Sequence, residues 1–131
     1  MRIIVSLIIF GLFVSVSPAF ADDVFDGTKP LLCSSIEAID CDPGVACERG
    51  IPEIMGAPQF LRIDFAKKEI AGPKRTTAIR MMEKDDDQII LQGYEIGLGW
   101  TLARDRGTGN MRITFAGGNS SFIVFGACTT L

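Results

Sequence analysis

The reactive side chains of this chain exclude more chemistry than they offer. There is no histidine, so nucleophilic catalysis by a Ser–His or Cys–His pair is ruled out. The four cysteines, Cys33, Cys41, Cys47 and Cys128, form an even set without the closely paired C-x-x-C spacing of a zinc site. They read as two disulfides made in an oxidising compartment, which also removes thiolate chemistry. Catalysis by two carboxylates needs a pair held a few ångströms apart in a cleft. Nothing in the spacing of Glu37, Asp40, Glu48, Glu53, Asp64 and Glu95 selects such a pair. The chain therefore reads as a non-enzyme, with no catalytic residue, no metal ligand and no cofactor.

Weaker features resolve into turns or core. Asp85-Asp86-Asp87 offers oxygen ligands but lacks the alternating Asp-x-Asp-x-Asp-Gly loop that presents them to Ca²⁺, and reads as a solvated hairpin turn. Gly107-Thr108-Gly109-Asn110 lacks the Gly-Lys-Ser/Thr ending and the following helix of a phosphate-binding loop, and is likewise a turn. The only tyrosine and the only tryptophan, Tyr94 and Trp100, lie close together among Gly93, Gly97 and Gly99. Glycines beside an aromatic let the backbone approach a ligand, so Tyr94 and Trp100 are the candidate ligand-binding residues. The plainer reading packs Trp100 in the core beside a glycine-relieved bend. Arg62, Arg80, Arg104 and Arg112 are read on the polar phase of their strands, on a solvated outer face or one that attracts an anionic partner.

These residues sit behind an export leader. Met1-Arg2 precedes an apolar run from Ile3 to Val16, then Ser17-Pro18-Ala19-Phe20-Ala21. That is a positive start, an apolar core and a small-x-small cleavage site, so residues 1–21 read as a signal peptide cut after Ala21. The run is shorter than the ~20 residues of a membrane span, and no span is expected after cleavage. Losing Arg2 takes the formal charge from −3 to −4. A mildly acidic chain with scattered basic residues has no electrostatic reason to hold nucleic acid.

Residues 22–131 read as a single disulfide-stabilised β domain, too short to hold two cores. Leu32, Ile36 and Ile39, spaced by four and three, predict one short N-terminal helix over 31–41. The segment 42–58, rich in Pro and Gly, reads as an irregular loop. Beyond Phe60 the period falls to two. Leu61–Phe65, Thr77–Met82, Ile89–Gln92, Trp100–Ala103, Met111–Phe115 and Phe122–Phe125 predict six strands. Short polar turns between them require antiparallel pairing, so the sequence predicts a mainly β fold, a six-stranded antiparallel meander curled to a half-barrel or barrel. Four cysteines allow three pairings. The one adopted here is Cys33–Cys128, tying the N-terminal segment to the last strand, with Cys41–Cys47 around the turn sequence Asp42-Pro43-Gly44.

The runs Leu31-Leu32-Cys33, Ala38-Ile39-Asp40-Cys41-Asp42, Cys47-Glu48-Arg49-Gly50, Pro58–Phe65, Leu91-Gln92-Gly93, Gly99-Trp100 and Phe125-Gly126-Ala127-Cys128 carry a resemblance. Together they resemble an uncharacterised family of small exported (periplasmic) four-cysteine bacterial proteins, over nearly the whole mature chain. The resemblance implies a bacterial, periplasmic or secreted, disulfide-bonded protein, and transfers no activity or site residue. At the level of fold alone the architecture is also similar to periplasmic lysozyme inhibitors and small lipocalin-like carriers, without their signature residues. Two functions are expected. The first is a non-enzymatic interaction or structural protein whose partner is another envelope protein, engaged through a surface patch or the 42–58 segment. The alternative is a binder of a small apolar ligand with a cavity near Trp100.

Overall fold

A computed structural model of the chain describes residues 25–131; the leader expected over 1–21 lies outside the described residues. Ten strands form one antiparallel sheet: β1 Leu31–Asp40, β2 Glu48–Gly50, β3 Phe60–Asp64, β4 Glu69–Ala71, β5 Thr76–Ala78, β6 Met81–Lys84, β7 Gln88–Glu95, β8 Leu98–Asp105, β9 Asn110–Ala116 and β10 Ser121–Thr130. Five of the six segments with two-residue alternation fall, to within a residue, on single strands; the sixth, Thr77–Met82, read as one strand, breaks at Ile79-Arg80 into β5 and β6, which lie at the two ends of the sheet. The sheet order is β5-β4-β3-β1-β10-β9-β8-β7-β6, with β2 pairing on β1. Two meanders, β3 to β5 and β6 to β10, therefore flank β1, so the sheet is more than the single six-stranded meander expected.

The expected N-terminal helix is a strand. Among the described residues the only helical stretch is a single 3-10 turn, Pro52–Met55. The misleading spacing has a physical cause. In β1 the inward residues are Leu31, Cys33 and Ser35; opposite β10 the register then shifts at Ile36, and Ala38 faces inward. Such a bulge adds one residue to one strand and reverses the side-chain phase beyond it. Leu32 and Ile36, taken as a buried helix face, are on the outside, Ile36 at 67% exposure.

The sheet curls into a half-barrel. Its end members β5 and β6 are successive pieces of the segment 76–84, and that segment brings the two edges together. The Ile79 N–H donates to the Lys68 carbonyl on one side (2.8 Å) and the Arg80 N–H to the Gln92 carbonyl on the other (2.8 Å). Cross-strand register stacks the inward residues in three tiers. The first runs Gly93, Trp100, Phe115, Phe122; the second Leu91, Leu102, Ile113, Val124, Ala38; the third Ile89, Arg104, Met111, Gly126, Ser35. Disulfides join Cys33 to Cys128, directly opposite each other on β1 and β10, and Cys41 to Cys47 across the loop after β1. No helix among the described residues is long and apolar enough to cross a membrane.

Candidate functional site

The first tier is aromatic. Trp100 on β8 lies opposite Phe115 on β9, which lies opposite Phe122 on β10. The Phe115 and Phe122 rings stack with centroids 4.5 Å apart. Trp100 fits only because β7 carries Gly93 opposite it: a Cβ there would come within 2.1 Å of the indole and 2.6 Å of the Ala78 carbonyl. The indole N–H donates to Thr77 Oγ1 (3.3 Å), and the Thr77 hydroxyl donates to the Tyr94 carbonyl (3.3 Å), so the polar edge of the ring is tied to the closing segment.

These rings border a cavity of about 630 Å³. Leu61, Ile70, Trp100, Leu102, Ile113, Phe115 and Phe122 supply its apolar walls, while the exposed Glu53, Lys74, Arg75 and Ile96 and the half-buried Glu95 stand at its mouth. Since the lining runs from buried to exposed residues, the cavity opens to solvent. Part of its wall comes from 53–59, in the segment read as an irregular loop. The Cys41–Cys47 bridge and the 3-10 turn shape that segment. A volume in the range of drug-sized ligand sites, apolar walls and a few polar groups suit a small apolar molecule.

Of the two candidate residues, Trp100 lines this cavity and belongs to the core (4% exposed), so both readings of it describe the same position. Tyr94 does not line it. Its ring is on the outside with the Arg80 guanidinium carbon 5.9 Å from the centroid.

Arg104 corrects the reading of the arginines. Arg62, Arg80 and Arg112 are exposed, but Arg104 shares the inward phase of Trp100 and Leu102 and is 1% exposed. Its guanidinium carbon lies 3.7 Å from the centroid of the Phe25 ring. None of its three nitrogens has a hydrogen-bond partner among the described residues. Burial pulls its pKa below the ordinary arginine value, and the neighbouring Asp105 carboxylate opposes this. The alternation Trp100-x-Leu102-x-Arg104 is the signal that places Arg104 inside.

The acidic and glycine-rich turns carry internal hydrogen bonds. Asp85 accepts from the Asp87 and Gln88 N–H groups (2.9 and 2.8 Å), and Asp105 from the Thr108 N–H (2.6 Å) and hydroxyl (2.9 Å). No family model, curated protein or solved structure matches the chain. The two disulfides are consistent with an oxidising compartment.

Proposed function

We propose that the protein is a non-enzymatic binder of a small apolar ligand, held in the cavity beside Trp100. The observation that carries this reading is the cavity itself. A small curled sheet of this size ordinarily fills its interior with side chains or holds one ligand. Here the first tier stops at one wall and leaves about 630 Å³ open between Trp100, Ile70 and the 53–59 segment. Apolar walls give affinity by removing ligand surface from water. The leader read over 1–21, the disulfides and the family resemblance support a periplasmic or secreted, bacterial setting.

Trp100 is the only tryptophan, so its fluorescence reports occupancy directly. Titration with unbranched alcohols and quinones is expected to saturate with a shift in Trp100 emission. Ile113→Phe, which adds volume to the wall, is expected to weaken binding by about tenfold or more through overpacking. Unchanged emission across the panel contradicts the proposal. A second reading, engagement of another envelope protein, is favoured by one observation: Val45, Ile51 and Ile54 are exposed apolar side chains on the 42–58 segment.

A further inference from the structure

We infer that the ligand is a cationic amphiphile, an organic ammonium with an apolar body, whose charge pairs with Glu95 at the mouth while its body fills the cavity. This rests on the proposed cavity function and specifies its ligand. The depth of the cavity is apolar. Leu102 and Ile113 line it there, and Leu91, Leu102 and Val124 of the same tier are fully buried. A polar ligand group at that depth would lose its water without gaining a partner, so the head of any ligand stays at the mouth.

Four charged side chains line the cavity, all of them at the mouth, and strand phase separates Glu95 from the other three. Along β7 the inward residues are Ile89, Leu91 and Gly93, and Glu95 continues the alternation. It lies opposite Leu98, which packs against the core and lines the cavity. Glu95 thus belongs one tier above Gly93 and Trp100, about 7 Å away along the strand. It is half-buried, and its carboxylate has no hydrogen bond or ion pair among the described residues. Lys74 and Arg75 are exposed on the turn between β4 and β5, which the Gly72 N–H closes on the Arg75 carbonyl (2.8 Å). Glu53 is exposed on the 3-10 turn. Two acids and two bases leave the mouth without net charge, so the head is chosen by the charge that water screens least. That charge is Glu95, since exposed pairs contribute little.

The rings below it add a second attraction. Trp100, Phe115 and Phe122 form the next tier down and line the same cavity. An ammonium held by Glu95 enters beside aromatic faces that attract cations. A carboxylate head would meet repulsion from Glu95 and from those same electron-rich faces.

The test titrates the protein with decylamine, decanol and decanoate at pH 7, read by Trp100 fluorescence, in wild type, Glu95→Gln, Glu53→Gln and the pair Lys74→Gln, Arg75→Gln. Decylamine is expected to bind wild type about fivefold or more tighter than decanol, and decanoate more weakly than decanol. Glu95→Gln should erase the preference for decylamine and leave decanol binding in place, whereas Glu53→Gln and the rim pair should keep it. A wild-type measurement independent of any variant is the intermolecular NOE. The methylene next to the ammonium should contact the Glu95 side chain, and the far methyl should contact Leu102 or Ile113. Equal binding of the three probes, tighter binding of decanoate, or a preference for decylamine that survives Glu95→Gln overturns the inference and leaves the cavity function standing. A preference that Glu53→Gln weakens as much as Glu95→Gln also overturns it, by making the general charge of the mouth the cause. Binding of none of the probes overturns both.

Discussion

Ile96 takes φ 47° in the two-residue turn between β7 and β8, followed by Gly97 at φ 79°. Tight hairpins of this kind need positive φ at both central positions, which Asn-Gly supplies readily and a β-branched residue resists. Ile96 is also exposed and stands at the cavity mouth. Ile96→Asn is expected to raise stability by about 1 kcal/mol, measured as a higher urea midpoint. An unchanged or lower midpoint contradicts the strain argument. The carboxylates give a pH dependence with a definite sign. Hydrogen bonds from Thr28, Gln88 and Thr108 are the leading causes that hold Asp26, Asp85 and Asp105 respectively below the usual carboxylate range. Folded values below unfolded ones contribute stability that is complete above about pH 4 and is lost as pH falls through the folded values. Urea midpoints measured from pH 7 to 2 should stay level and then drop. Asp105→Asn should shrink the drop, and curves of identical shape would argue against the turn's contribution.

The elements differ in how plainly the sequence announces them, and the reason lies in particular residues. Strands such as β8 and β9 carry large apolar residues at alternate positions, so Trp100, Leu102, Met111 and Ile113 reveal both the strand and its buried side, while Arg104 at the end of the same face of β8 hides its own burial. In β1 the inward residues after Leu31 are Cys33, Ser35 and Ala38, small or polar, and the bulge at Ile36 splits the alternation in two. The outward Leu32, Ile36 and Ile39 then imitate a helix. The strands β2 and β4 are three residues long, too short for a period to show, whereas the alternation over Thr77–Met82 runs through both β5 and β6 and hides the break between them. Trp100 was legible as a residue beside a possible cavity, and it lines one. The 53–59 wall was not, because its place depends on where the chain returns across the mouth. The two cross-links act on elements of different reach. Cys33–Cys128 closes 95 residues of sequence and Cys41–Cys47 only 6. In the chain-entropy view, replacing the first pair with alanine should cost about 4–5 kcal/mol and the second about 2 kcal/mol. Thermal and urea melts of the two double variants check the order. A larger loss from Cys41–Cys47 would show that the loop bridge carries the fold.

Taken as a whole molecule, the chain is a curled antiparallel sheet divided by height: an aromatic rim around an open cavity, an apolar middle, and a closed end where Phe25 lies against Arg104. Closure depends on one segment, 76–84, which meets β4 on one side and β7 on the other. The same segment supplies Thr77 to the Trp100 indole. Ligand occupancy and sheet closure are therefore expected to support each other, since anything that binds only the folded state stabilises it. The central claim, that the space beside Trp100 is a binding site, is tested most directly by two-dimensional NMR of the isotope-labelled protein titrated with decanol. The account expects saturable shifts at the Trp100 indole N–H and at the methyls of Leu61, Ile70 and Ile113, with none at the outward Leu32 and Ile36. No shift at the cavity residues, or shifts confined to the outer face, would contradict it.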